Sequence, residues 1–395
     1  MKIGIFTNCY RPLVNGVVGA VTLLRQGFRE AGHEVFIFTP AYDDYRDGED
    51  GIYRYPAVDL TTKVKYPVAV PFSPRIHREL ERLDLDIVHS HHPFVLGPLA
   101  LRVARRKRIP AVYTFHTQYD QYTHYVPLPE GLVKWSAKRQ VRRFGQAVDG
   151  ITTPAESARQ ILMDYGVTRP ITVIPNPTDL SRLQRGNGGP VRARYGLGAE
   201  RVLINIGRIA PEKNLGLLLE SFRLMLAQAP AGSLRMMIVG DGPELAPLQR
   251  RAEAMGLGDR VIFTGLIDPA QVPDFLAVAD LFVMTSTTEV KPLSQLEALA
   301  AGVPIVAVAA AGANDTIRHG ENGLLVPEDA ARFAKAALEL IGDGGERLDR
   351  FRQAARATAA RYSHTGIAAE YLALFEKMIA DGRDAQCDRP RKSII

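Results

Sequence analysis

Cysteine is nearly absent: Cys9 and Cys387 are the only two in 395 residues, and they lie near opposite ends of the chain. Neither a disulfide framework nor a cysteine-rich metal centre is expected, and the composition fits a reducing cytosol. No apolar run reaches the roughly eighteen residues that a membrane span requires, so no spanning helix is expected. Met1-Lys2 leads straight into an apolar strand, without the apolar stretch of a secretory signal. The first strand-loop-helix segment lacks a G-x-G-x-x-G fingerprint. The chain also lacks helix-turn-helix, zinc-finger and RNP signatures, so nucleic acid is not an expected partner.

What remains is a composition of 46% apolar and 23% charged residues, ordinary for a globular protein long enough to make two domains. The net charge of +6 is unevenly placed, because Leu99 to Arg143 holds ten Lys/Arg against Asp120 and Glu130. Such a surplus suits an anionic lipid surface or a plainly solvated face.

Short apolar runs alternate with helical patterns: Ile3 to Phe6, Glu34 to Phe38, Asp86 to His89, Ala111 to Phe115 and Ile151 to Thr153 come first. Val202 to Ile206, Met236 to Val239, Val261 to Thr264, Leu281 to Met284, Ile305 to Val308 and Gly323 to Val326 follow. This alternation predicts an α/β protein with two parallel sheets covered by helices. The Pro/Gly/Asn-dense stretch 176–190 reads as the linker between them. The expected domains are 1–180 and 181–362, followed by an amphipathic helix over Ile367 to Ile379 and a mobile polar tail from Asp381 to Ile395.

Ligands of open parallel sheets bind beyond the carboxyl ends of the strands, so the loops there are the candidate sites. In Thr285 to Pro304 a loop carries Glu289, Pro292 suits the first helical turn, Leu293 to Ala301 reads as helix with Glu297 inside it, and Gly302 ends it. A loop carboxylate can accept hexose hydroxyls, a helical one can grip a ribose diol, and the helix start offers amides to phosphate. Two unrelated surface glutamates would show the same spacing. Upstream, Gly207 to Asn214 places Arg208 and Lys213 before a helix over Leu215 to Leu226 with Asn214 as N-cap, where two cations could neutralise a diphosphate. Gly240-Asp241-Gly242-Pro243 mainly marks a strand-to-helix turn. In the first loop, Gly16 permits close backbone approach to a ligand, although Gly16 or Gly19 could instead serve a left-handed turn.

His116 follows an apolar strand and opens a segment with Tyr119, Asp120, Tyr122 and Tyr125, which reads as a site wall. Its aromatic rings could pack on a sugar or acyl chain, and Asp120 could act as a base. His89, His91 and His92 lack a third ligand class at metal spacing, and Asp84-Leu85-Asp86 precedes a strand and reads as a turn cap.

In order and spacing, Gly16, His116, Gly207-Arg208 with Glu212-Lys213-Asn214, Gly240 to Glu244, Glu289 with Glu297, and Glu321 to Val326 resemble the retaining glycosyltransferases of the GT-B fold, over nearly the whole chain. The resemblance implies two Rossmann-like domains facing across a cleft, with residues 364–380 as a helix returning to the first. It implies that Arg208 and Lys213 hold the donor diphosphate, Glu297 the ribose and Glu289 the hexose, while Gly265, Leu266 and Ile267 line the nucleobase. Leu293 and Lys291 fall at the donor site, Gly16 approaches phosphate or sugar, and His116 meets the hexose near the reacting carbon. The family usually needs no metal or other cofactor, and the leaving phosphate is thought to help deprotonate the acceptor in a front-face reaction that retains configuration.

Gly4 to Pro12 with Asn15-Gly16-Val17, and Phe115 to Tyr125, look most like bacterial diacylglycerol glucosyltransferases. That implies UDP-glucose as donor, a lipid acceptor and peripheral attachment to the inner face of an anionic membrane through the basic surplus. A soluble sugar or small-molecule acceptor, or a sugar-nucleotide epimerase of the same fold, are the alternatives. Three departures stand out: Lys291-Pro292 where Phe-Gly or Gln-Gly is usual, Asn176-Pro177-Thr178 for Asn-Gly-Val, and Asp315 for glutamate. Pro292 cannot donate a backbone N–H, which puts one backbone contact to the hexose in question; Lys291 could replace it or alter which sugar is accepted.

Overall fold

Strands buried on both faces must be apolar throughout, and the runs above obey that rule: every residue of Leu281–Met284 and Ile305–Val308 is buried. The computed structural model describes residues 1–59, 67–121, 129–288, 292–342 and 345–387. The chain forms two compact units, Met1–Pro177 with His364–Ile395, and Thr178–Ser363.

The first unit contains β1 (Lys2–Phe6), β2 (Glu34–Pro40), β3 (Ile52–Tyr55), β4 (Ala57–Asp59), β5 (Pro67–Ala69), β6 (Ile87–Ser90), β7 (Ala111–Thr114), β8 (Gly150–Thr153) and β9 (Ile171–Val173). Its main sheet has the order β3-β2-β1-β6-β7-β8-β9 and is parallel throughout. β4 and β5 make a separate antiparallel pair. Ile3, Ile5, Val21, Phe28, Ile87 and Val112 build the core together with Ile367, Tyr371 and Phe375 of the last helix. That helix, His364–Cys387, reaches both earlier and later than the expected Ile367 to Ile379, so the chain is helical rather than a loose tail through Cys387. Residues 388–395 lie outside the described residues. A Cβ on Gly27 would stand 2.6 Å from the Ala368 Cβ and 2.8 Å from the His364 carbonyl oxygen, so glycine permits the close crossing of helices Gly16–Glu30 and His364–Cys387.

The second unit holds β10 (Arg201–Ile206), β11 (Leu234–Val239), β12 (Val261–Gly265), β13 (Leu281–Met284), β14 (Ile305–Val308) and β15 (Gly323–Val326), ordered β12-β11-β10-β13-β14-β15. Its register is also parallel, with Leu203 opposite Met236 and Leu281. The stretch expected to be a linker is folded instead. Residues 180–183 and 188–194 form short helices, and Asn187 caps the second by accepting the Gly189 N–H at 3.0 Å. The Pro/Gly/Asn density there reflects helix caps and close packing rather than freedom.

In each sheet the chain reverses its order of laying down strands beside the first strand, between β1 and β6 and between β10 and β13. Those two switch points are where a crevice opens beyond the strand ends. Among the described residues no helix is long and apolar enough to cross a membrane.

Candidate active site

In the second unit, side chains stitch the loops on either side of the switch point together. Asn205 Nδ2 donates to the Val283 carbonyl at 2.7 Å, Thr285 Oγ1 to the Lys213 carbonyl at 2.9 Å, and Ser286 Oγ to the Glu212 carbonyl at 2.9 Å. The crevice they frame is lined by Asn205, Gly207, Lys213, Thr285, Ser286, Pro292 and Ser294. Lys213 is half-buried in its wall, and the half-buried Arg208 holds Glu212 Oε1 through Nη2 at 3.1 Å. Gly240, at φ 136°, lies so close to the Gly207 carbonyl that a Cβ would collide with it, and the Gly240 N–H reaches the Gly265 carbonyl at 3.0 Å. The two-glycine turn thus fixes the height of the loop that carries Arg208 and Lys213. Asn214 occupies the N-cap position of Leu215–Gln228 but does not cap it with its side chain, because it is left-handed at φ 50° and its Nδ2 bonds Glu328 Oε1 at 2.8 Å.

Helix Leu293–Ala301 forms as expected and ends at Gly302 with φ 79°. Pro292 sits at its N-cap position rather than inside the first turn, and no side chain caps the helix. Leu293 is half-buried at the start. Glu297 keeps 24% of its side chain exposed, and Arg182, which the sequence reading missed, approaches its carboxylate at 3.8 Å. Burial raises the Glu297 pKa above its ordinary value, and the Arg182 guanidinium partly offsets this. Arg182 also donates to the Pro269 carbonyl at 2.8 Å, tying this helix to the loop after β12. In that loop Gly265 is left-handed at φ 69°, Leu266 is 69% exposed, and Ile267 packs partly against the core. An exposed apolar side chain beside an open glycine is a surface on which a flat ring can lie.

In the first unit the corresponding strand ends are neutral and tightly packed. The Asn8 N–H donates to His92 Nδ1 at 3.1 Å, so the His92 proton resides on Nε2, 3.7 Å from Cys9 Sγ. Asn8 also donates to the Phe94 carbonyl at 3.0 Å and accepts the Leu96 N–H at 3.2 Å. His116 is half-buried, and its Nε2 lies 2.8 Å from Nδ1 of the fully buried His91. His89 Nε2 meets Thr114 Oγ1 at 2.6 Å, and Thr114 and Thr152 share the hydroxyl of Tyr371 at 3.3 Å each. Burial pushes the pKa of His89 and His116 down to about 3 and that of His92 to about 4, and holds His91 well below its ordinary value. All four rings are therefore neutral at ordinary pH. His89, His91 and His92 each give a nitrogen to a protein partner.

Tyr119 is half-buried and packs edge-on against Phe94 with ring centroids 4.9 Å apart. Asp120, which the sequence offered as a base, has a buried carboxylate that accepts the Tyr165 hydroxyl and pairs with Lys138 Nζ at 3.3 Å, contacts that tie its short helical turn to the neighbouring elements. Gly16 is exposed as the first residue of its helix, just after the Asn15 cap, with open space where a Cβ would stand. Neither Gly16 nor Gly19 has a positive φ, which removes the left-handed-turn reading and leaves room for a ligand. Glu289, Lys291, Tyr122 and Tyr125 lie outside the described residues.

The basic surplus is partly paired within the chain, largely at its surface. Arg106 pairs with Glu81, Lys107 donates to the Glu81 and Leu83 carbonyls, Lys134 pairs with Glu130 and Lys138 with Asp120. Arg139, Arg142 and Arg143 stay exposed on helix Glu130–Ala147, beside Leu132 at 51% and Trp135 at 58% exposure.

Two parallel switch-point sheets, one with paired cations beside an uncapped helix and a helical glutamate, define a GT-B glycosyltransferase, and comparison with known proteins agrees. Residues 192–358 match the family model described as glycosyl transferases group 1, and residues 14–182 match glycosyltransferase family 4. An alpha-monoglucosyldiacylglycerol synthase of Streptococcus pneumoniae is 34% identical over 78% of this chain and 71% of its own. A GDP-mannose-dependent alpha-mannosyltransferase of Corynebacterium glutamicum is 28% identical over 87% of this chain and 81% of its own. The structure of HepE from Anabaena in complex with UDP superposes with a TM-score of 0.77 over 95% of this chain and 100% of that one, at 18% identity, which shows the shared fold. The chain belongs to the group 1 glycosyltransferases and is a hexosyltransferase that uses a nucleotide sugar.

Proposed function

We propose that the enzyme transfers glucose from UDP-glucose to a diacylglycerol-type lipid at an anionic membrane surface, giving an α-glycolipid with retained configuration. The observation that carries this reading is the crevice at the β10/β13 switch point, where Lys213 lines the wall, Arg208 stands on the same loop and Glu297 lies on the uncapped helix. Lys213, Arg208 and the helix-start amides supply the positive charge that a departing diphosphate gathers, and the reading therefore assigns that task to the protein without a metal. Glu297 accepts the ribose hydroxyls, and Leu266 and Ile267 lie beside the base. Glu289 and Lys291 are assigned to the hexose.

The lipid acceptor is supported by similarity to the monoglucosyldiacylglycerol synthase, and UDP by the fold neighbour's bound nucleotide. The membrane is supported by helix Glu130–Ala147. Trp135 and Leu132 are apolar and exposed there, Arg139 lies 5.4 Å over the Trp135 ring, and Arg142 and Arg143 follow. A tryptophan beside arginines is the side-chain mixture that settles at a lipid headgroup layer. The test is incubation with radiolabelled UDP-glucose, GDP-mannose and other nucleotide hexoses in mixed lipid vesicles. Label from UDP-glucose should enter the organic phase. Label from GDP-mannose alone would reassign the donor, and label confined to water-soluble products would overturn the lipid acceptor.

A further inference from the structure

His91 and His116 stand just beyond the ends of β6 and β7, which are neighbours in the sheet. Their rings are 15° from coplanar with centroids 5.0 Å apart, while His91 Nδ1 and His116 Nε2 approach to 2.8 Å. The centroid separation exceeds the N···N distance by about two ring radii, so the rings meet edge to edge and the shared hydrogen lies in line between them. Behind His91, the His89 ring centroid is 4.2 Å away, and that ring is itself anchored to Thr114.

Two neutral rings in this geometry share one proton, and only one of them donates it. Were His116 the donor, His91 would carry its own proton on Nε2, a fully buried N–H with no protein acceptor among the described residues. With His91 as donor, the same buried atom is a bare lone pair. A stranded N–H is the costlier of the two, as the rarity of orphaned buried donors shows. We infer that His91 donates from Nδ1 to His116 Nε2, fixes the His116 proton on Nδ1, and so makes His116 a hydrogen-bond donor rather than a base toward its ligand. Burial keeps both rings uncharged, which preserves the arrangement. Among the described residues no other hydrogen bond engages the half-buried His116 ring, so Nδ1 is the nitrogen left for a ligand in this proposal.

The ligand chemistry follows: His116 Nδ1–H meets an oxygen lone pair on the transferred hexose or on the acceptor. This rests on the reading of the first unit as the sugar-facing, acceptor-side half. In that reaction the acceptor oxygen bonds to the anomeric carbon as the sugar–phosphate bond breaks. The acceptor's proton then goes to the departing phosphate, because His116 has no free lone pair to take it. His91 is a positioning residue that acts through His116.

The experiment is two-bond ¹⁵N–¹H correlation spectroscopy on the full chain with labelled histidine, with the His116 signals assigned by their loss in His116→Gln. A protonated Nδ1 and bare Nε2 on His116 are expected, and a protonated Nε2 overturns the inference. Kinetics supply the second arm. His91→Leu, which keeps bulk without a donor, should lower kcat roughly 10- to 100-fold with the KM for the nucleotide sugar nearly unchanged, the scale for losing a partner that orients a site histidine. His91→Asn, whose amide N–H sits near Nδ1, should recover most of that loss. Equal losses in both variants with native-like melting would overturn the positioning role. A wild-type protein that turns over no nucleotide sugar would sink the functional reading while leaving the spectroscopic result on the proton intact.

Discussion

The two switch points share a topology and differ in electrostatics, one charged and the other neutral. Beyond β10 and β13 the walls carry Arg208, Lys213 and Glu297, all half-buried and charged or chargeable. Beyond β1 and β6 there are histidines held neutral by burial, amides and hydroxyls, with the arginines kept on an outer helix. A parallel sheet supplies a place to bind, and the loop residues decide what binds there. A polyanion suits the first site, and an uncharged hydroxyl compound suits the second.

The strongest way to break this contrast is Lys213→Ala. If the second unit's cations carry the leaving diphosphate, kcat should fall by roughly 10²- to 10³-fold, as when one transition-state donor is removed. Steady-state kinetics at saturating donor measure it, and a loss confined to KM would mean that Lys213 only helps binding. Next in size is Glu297→Ala, which should weaken nucleotide-sugar affinity by about tenfold or more, because hydrogen bonds to a charged group contribute about 1.5–3 kcal/mol each. Isothermal calorimetry reads it directly. Replacing His116 with Ala should leave that affinity for UDP alone unchanged, which would keep the two sites distinct.

Glu297 also gives the contrast a pH signature. Its folded pKa lies above the ordinary 4.5, so in the window just above 4.5 the folded protein holds a proton that the unfolded chain has released. Stability from this group therefore rises as pH falls through the window and is lost as pH climbs past the folded value. Melting temperatures should show Glu297→Gln more stable than wild type near neutrality, with the gap closing on acidification. Donor affinity should move the other way, because the ribose needs the carboxylate. Smaller still is the effect of Trp135→Ala with Arg139→Glu. It should loosen binding to anionic vesicles at about 1 kcal/mol per basic residue lost, by sedimentation at low salt, without altering nucleotide affinity. Smallest is Tyr371→Phe, expected to cost about 1 kcal/mol in urea unfolding with turnover nearly unchanged.

The sheets were legible because doubly covered parallel strands leave unbroken apolar runs, as at Leu281–Met284 and Ile305–Val308. β9 escaped notice because it is a three-residue edge strand with Thr172 exposed, and β3, β4 and β5 are similarly short. The positions of Arg208 and Lys213 after a strand and of Glu297 within a helix could be read from the strand-loop-helix order. Arg182 could not, since its partner lies 115 positions away and only the fold sets the 3.8 Å between them. The role of His91 was hidden for the same reason, although histidines at the ends of two adjacent strands were a visible signal. The partners of Asp120 were equally hidden, because nothing local to it reveals Tyr165 or Lys138.

The close crossing at Gly27 and Ala368 has a consequence for biogenesis. The first unit is discontinuous, its segments separated by the whole of Thr178–Ser363. On a ribosome the inserted unit is complete before helix His364–Cys387 emerges, whereas the apolar face around Val21 and Phe28 must wait for Ile367, Tyr371 and Phe375. The earliest-made segment is thus the last to be sealed, and a nascent chain released short of His364 would carry a finished second unit while the first kept an open hydrophobic face.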